Sequence, residues 1–409
     1  MNKKKTVVVN IFMLYLMNFS QLLLPLLTLP YLTRVLSVDG YGVVSYVKSI
    51  MVYTTLIIEF GFLLSGTRDI VLSRGKKDTI NKVLGTVTIS KLFLSFIAFV
   101  VLLVMIARIP ILNRHPRFVL LSFLTPFLSI FLYDYLFRGL EQMQIVTIRF
   151  LIMKGISTLL TFVFIKNEND LDLIPILDII GTIFAVIWVN KEVKDMGYRI
   201  KFDGFLNVVK AIKNSFVYFL SDAASTTFGA LNTFFVGIYL SASDVAYWGI
   251  LMSIVGAIQS MYNPISNGIY PRMIKEKNIK LFLKIICFFV PILLIGSAIL
   301  FGESKLIIAI IAGNKYTVVA KYLREAVPLI IISFFSILFG WPLLGAINKA
   351  KEVTSTTVAT GILQVVGIAL LIFSHNFTFS YLLLVRTLTE LFMTIYRVGI
   401  AYKYRRLFN

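Results

Sequence analysis

The residues of this chain that could do chemistry are ionisable groups set inside long apolar stretches. Lys154 falls near the middle of the stretch 145–165, where a lysine stem is too short to reach either end comfortably. A cation at that depth is expected to face a polar cavity, where it could compensate an anion that hydrocarbon would otherwise exclude. Lys48 and Lys91 lie nearer the ends of the stretches 43–66 and 84–107, so each either snorkels outward or serves in the same way. Arg386 and Glu390, four apart in the stretch 379–402, share one helix face and are expected to neutralise each other. Arg386 nevertheless stands as a candidate anion contact, and Glu390 as a candidate coupling group. Asp134 and Arg138 repeat the same spacing at the end of 118–137 and read as a boundary pair. Asp178 and Asp222 have no partner four residues away, so either exchanges protons during a transport cycle or pairs with a lysine from another helix.

Other chemistries have no footing in the sequence. There is no Walker-type glycine loop, no helix with paired metal-binding histidines and no serine nucleophile elbow. The single cysteine, Cys287, sits in an apolar stretch and cannot form a disulfide within the chain, and the only histidines, His115 and His375, fall in short loops. The expectation is a protein that is not an enzyme, has no catalytic residues, and needs neither metal nor cofactor.

The elements that must position these groups are about a dozen apolar stretches, each long enough to cross a bilayer as a helix. They run approximately over 9–31, 43–66, 84–107, 118–137, 145–165, 173–190, 214–238, 247–269, 281–301, 326–347, 355–374 and 379–402. With 58% hydrophobic and 15% charged residues, an all-α polytopic membrane protein is the expected fold class. The net charge of +20 would suggest nucleic acid in a soluble protein, but here the basic residues crowd alternate loops, which makes it a topology signal and argues for no nucleic-acid partner. Loops such as Arg68–Lys82 and Asn190–Lys213 are basic, whereas Val245–Trp248 and Ser374–Ser380 carry no Lys or Arg. This pattern predicts both termini in the cytoplasm. The longest inside loop splits the chain into two groups of six stretches, predicting bundles over 1–200 and 201–409. Leu36 and Ser37 match Leu240 and Ser241 at the same offset that matches Arg68 with Arg272, as an internal repeat would.

The segment Leu29–Ile50, LPYLTRVLSVDGYGVVSYVKSI, followed by EFGFLLSGTRDI over Glu59–Ile70, resembles the O-antigen flippase family, often called Wzx, in the polysaccharide-exporter branch of the multidrug/oligosaccharidyl-lipid/polysaccharide superfamily. The resemblance lies in the Thr-Arg-Val-Leu run, the acidic-Gly-Tyr-Gly turn and the closing Thr-Arg-Asp; Phe60 stands where tyrosine is usual. LNTFFVGIYLS over Leu231–Ser241 resembles the seventh span of that family. The resemblance implies two six-helix bundles around a central cationic cavity and a protein of the bacterial inner membrane. It implies movement of undecaprenyl-pyrophosphate-linked oligosaccharide repeat units, the precursors of lipopolysaccharide O antigen, from the inner to the outer leaflet. Arg34, Lys48 and Lys154 would then be pyrophosphate or acidic-sugar contacts, with Arg68 and Asp69 stabilising an inner loop. The partners implied are the lipid-linked oligosaccharide, membrane lipid, the polysaccharide polymerase and the chain-length regulator. Polar residues within spans, among them Asn18, Gln21, Ser225, Thr226, Asn232 and Asn263, either line the path or join helices by hydrogen bonds. Two other readings stay open. A multidrug exporter of the same superfamily would favour acidic residues in its cavity, and a membrane enzyme such as the polymerase would need a larger external loop than that near Gly302–Glu325.

Overall fold

The computed structural model describes residues 3–408, and among them it contains helices and no strand. The chain divides into two compact units, Met1–Thr226 and Thr227–Asn409. The first holds α1 (Lys3–Val35), α2 (Val38–Glu59), α3 (Phe62–Leu72), α4 (Lys77–Arg108), α5 (Pro110–Asn113), α6 (Pro116–Ser129), α7 (Asp134–Gly139), α8 (Met143–Phe164), α9 (Leu173–Asp195) and the start of α10 (Phe205–Tyr239). The second continues with α11 (Ala242–Ser260), α12 (Tyr262–Glu276), α13 (Ile279–Gly302), α14 (Ser304–Ile311), α15 (Val319–Glu325), α16 (Val327–Leu338), α17 (Ala350–Phe373) and α18 (Phe379–Lys403). Eleven stretches among the described residues are long and apolar enough to cross a bilayer. The remaining expected stretch, 214–238, lies within the 35-residue α10.

Polarity is distributed as a lipid solvent requires. Large apolar side chains such as Leu159, Phe184 and Phe373 face outward, while Thr182, Thr356 and Gln364 are fully buried. Lipid tails are as apolar as leucine, so helices gain from close packing and internal hydrogen bonds instead of from hiding hydrophobic surface.

The expected division after residue 200 falls in the extended stretch before α10, whereas the compact units separate within that helix. The early turns of α10 belong to the first unit by direct contact. Ser215 shares a 2.7 Å hydroxyl hydrogen bond with Ser65, and the Phe219 ring stacks on Phe60 with centroids 4.4 Å apart.

The two units repeat their local construction. Ser37 caps α2 by accepting from the Gly40 amide, and Ser241 caps α11 by accepting from the Asp244 amide. Each capped helix begins a 35-residue apolar stretch broken once, at Phe60–Gly61 in one unit and at Met261 in the other. The fourth stretch of each unit is broken too. Tyr133 turns left-handed between α6 and α7, and a π-helical segment with a non-helical Gly340 follows α16.

Gly61 is required where it stands, with φ at 75° and a position where a Cβ would lie 2.6 Å from the Phe219 amide nitrogen. Gly61→Ala is expected to cost about 1–3 kcal/mol, read as a lower thermal midpoint of the purified protein in detergent. An unchanged midpoint would show that the break tolerates a side chain.

Candidate functional site

Three of the charges singled out in the sequence meet in the first unit. Lys154 sits on α8 and Asp178 on α9, and the Lys154 Nζ donates to Asp178 Oδ1 at 3.0 Å. The Ser157 hydroxyl donates to the same oxygen at 2.7 Å, and it comes from the face of α8 that carries Lys154, three residues earlier. Asp178 is thus in contact with a lysine from another helix. Lys48, exposed on α2, lies close enough for its charge to act on both Asp178 and Lys154. Among the described residues no carboxylate stands at ion-pair distance from it.

Helix packing explains why these groups meet. α8 packs between α1 and α9, and α6 touches both α9 and α2. Gly181, one turn beyond Asp178, lets α9 press on the backbone of α8, since a Cβ there would lie 2.2 Å from the Met153 carbonyl oxygen. Lys154 lies about ten residues from either end of its 22-residue stretch, roughly 15 Å along the axis, whereas Lys48 lies about ten residues into the longer stretch Val38–Leu72. The Lys154 side chain is 36% exposed and that of Asp178 23%, so the pair is reachable from outside the packed core.

The other predicted groups lie elsewhere. Arg34, in the last turn of α1, is exposed and donates to the Pro30 carbonyl at 2.7 Å. Lys91 does not snorkel: it is 2% exposed, held by both oxygens of Glu59 at 2.7 and 2.8 Å, with the Tyr135 ring 5.3 Å away. Asp222, on α10, feels the charge of Glu59. Asp134 does not pair with Arg138. It faces Arg149 of α8, which donates to both carboxylate oxygens through Nε and a terminal nitrogen. The reason is orientation: the left-handed Tyr133 ends the preceding helix and turns Asp134 toward α8. Arg68 and Asp69 form an exposed pair at 2.9 Å. Asn18 and Gln21 are exposed on α1, whereas the side chain of Ser225 lies outside the described residues.

In the second unit no ion-pair contact joins Arg386 and Glu390 among the described residues, but the charge of Glu390 acts on Arg386 and on Arg397, and Glu390 accepts from the Ser336 hydroxyl. Arg397 was not anticipated. It is 6% exposed and donates to the Ser336 carbonyl at 2.5 Å, to Thr356 at 3.1 Å and to Thr357 at 2.9 Å, beside the break at Gly340. Asn232 is a helix-joining residue, accepting from Gln364 at 3.0 Å, while Gln364 accepts from Thr389 at 2.7 Å. Among the described residues no group of His, Cys, Asp and Glu could hold a metal ion.

Residues 7–277 match the family described as "Polysaccharide biosynthesis protein". The chain belongs to that family. Within it, the chain is 27% identical over 363 residues to an Escherichia coli (strain K12) protein named "Putative O-antigen transporter", covering 87% of each. A Shigella dysenteriae protein of the same name is 27% identical over 354 residues, with 82% of this chain and 85% of the relative covered. Among solved structures, this polysaccharide biosynthesis protein shares its fold with the lipid II flippase MurJ, at TM-score 0.68 and 16% identity over 97% of this chain and 87% of that one. An inward-facing multidrug resistance MATE transporter of the MOP superfamily has TM-score 0.67 at 13% identity, over 96% and 97% of the two chains. The protein is thus a multi-pass membrane protein with the MOP superfamily fold.

The Asp134–Arg149 contact gives a stability test. Arg149→Met is expected to destabilise by about 1–3 kcal/mol, below the range for sealed pairs because Asp134 is partly exposed. Adding Asp134→Asn should recover part of that loss in thermal melts, and strictly additive losses would show that the contact contributes nothing.

Proposed function

We propose that this protein flips undecaprenyl-pyrophosphate-linked oligosaccharide repeat units, precursors of O antigen, from the inner to the outer leaflet of the bacterial cytoplasmic membrane, with both its termini in the cytoplasm. The observation that carries this reading is the charge balance around Asp178, where Lys154 in contact and Lys48 nearby set two lysines inside spanning helices against one carboxylate. A diphosphate loses its hydration on entering low dielectric, and ammonium groups held there replace it. The sugars need polar partners for their hydroxyls, while the polyprenyl tail stays in lipid throughout. Family membership, the names of the relatives and the fold shared with a lipid flippase support the same reading.

A drug exporter for cationic compounds fits less well, because its binding groups would carry the opposite balance of charge. Arg34, bound to its own helix, and Arg386, in the buried part of the second unit, are weaker candidates for substrate contact than Lys48 and Lys154. Among the carboxylates expected to couple transport to a gradient, Asp178 and Glu390 are engaged by hydrogen-bond donors. Asp222 beside Glu59 is the better candidate, since among the described residues the lysine at ion-pair distance there, Lys91, pairs with Glu59.

In a strain lacking this gene, surface polysaccharide is expected to disappear while single lipid-linked repeat units accumulate on the inner leaflet. Complementation with Lys48→Gln plus Lys154→Gln should restore less than about a tenth of the polymer restored by the wild type, as expected when two charge-assisted contacts are lost. Single units that reach the outer leaflet but stay unpolymerised would overturn the flippase reading in favour of a polymerase.

A further inference from the structure

We propose that Asp178 is a built-in competitor for the substrate, occupying on Lys154 the place that an anionic group of the substrate must take. This inference rests on the reading of Lys48 and Lys154 as diphosphate contacts and adds to it a specificity-determining residue. The Asp178 carboxylate oxygen accepts from Lys154 Nζ at 3.0 Å and from the Ser157 hydroxyl at 2.7 Å, so it occupies two donors that a phosphate oxygen could use equally well. Lys48 stands nearby with no carboxylate at ion-pair distance among the described residues, and the charges it feels are those of Asp178 and Lys154.

Lys154 is thus neutralised, while Lys48 has no carboxylate at ion-pair distance among the described residues. An incoming diphosphate meets Lys48 first. With two phosphate groups it can hold that contact while its second group displaces the carboxylate from Lys154. The partial exposure of both side chains makes that exchange possible without unpacking α8 from α9, whose close approach is fixed separately at Gly181. Once displaced, Asp178 repels the bound anion, and after release it again neutralises Lys154. The competitor therefore lowers affinity and speeds release, as a transporter needs when its substrate must leave the site on the far side. Removing it should tighten binding and slow export together, a combination that a merely structural role for Asp178 would not produce.

The test is binding of farnesyl diphosphate to the full-length protein in nanodiscs, with farnesol and inorganic pyrophosphate as parallel probes. Polymer export is measured for the same variants in cells. Asp178→Asn is expected to tighten farnesyl diphosphate binding by about tenfold, the size of one charge-assisted contact, with farnesol unchanged and export reduced. Asp178→Ala should behave alike, so poor folding of one variant leaves the other to decide. A gain shared by inorganic pyrophosphate supports competition at the diphosphate, whereas a gain confined to probes carrying the prenyl tail overturns it. If the wild type binds farnesyl diphosphate and Lys154→Gln weakens that binding, but neither Asp178 variant tightens it, the competitor is overturned and the flippase reading stands. If no protein in the series binds the probe, both fall.

Discussion

Everything in this molecule answers to the cost of placing charge in hydrocarbon. An uncompensated lysine or aspartate at the centre of a spanning helix costs about 2.5–3.5 kcal/mol on insertion scales, whereas a hydrogen bond between helices returns about 0.6 kcal/mol. One hydrogen bond alone does not offset a buried charge, so opposite charges must come together or several hydrogen-bond partners must converge on it. The first unit takes the former course with Glu59 and Lys91, Asp134 and Arg149, and Asp178 and Lys154. The second takes the latter around Arg397, whose guanidinium is spread over a carbonyl and two threonine hydroxyls near Glu390. Against this background Lys48 is conspicuous, a cation within a spanning stretch with no carboxylate at ion-pair distance among the described residues.

The breaks in the helices follow from the same constraint. Non-helical backbone at membrane depth survives only where its polar groups find partners. At Gly340 the partner is Arg397, which binds the Ser336 carbonyl one turn upstream and fills the space a side chain would need. At Tyr133 the turn hands Asp134 to Arg149. An arginine from a neighbouring helix therefore attends the broken fourth stretch of each unit, and both second stretches are broken as well. The serine caps at Ser37 and Ser241 fall at residues that match under the same offset in the sequence, so the internal repeat is visible in local construction and not only in residue identities.

The spans were legible because twenty-residue apolar runs have few alternative readings, and the depth of Lys154 was legible because depth is counted along the chain. Partners were not. The i,i+4 rule proposed Asp134 with Arg138, where Arg149 on another helix prevailed, and for Glu390 it gave no sign of Ser336 on α16, because helix rotation and helix breaks decide which face meets which neighbour. Ser157 could have been found, since it lies three residues after Lys154 on the same face. Arg149 and Arg397 were visible as charges inside apolar stretches, but nothing in sequence spacing linked them to Asp134 or Ser336. The glycine that lets α9 approach α8 gives no signal by itself, because Gly181 is one glycine among many in spanning helices.

In our proposal Lys48 and Lys154 of the first unit carry a lipid-linked diphosphate sugar across the bilayer. The decisive test is reconstitution of the purified protein into liposomes holding a prenyl-diphosphate-linked sugar labelled on one leaflet, with transfer followed by access to a soluble, membrane-impermeant lectin or glycosidase. The wild type is expected to expose the sugar on the opposite leaflet, and Lys48→Gln plus Lys154→Gln to slow transfer by about tenfold or more while the protein stays folded. Wild-type protein that leaves the sugar where it began, or a double variant that transfers at the wild-type rate, would contradict the proposal.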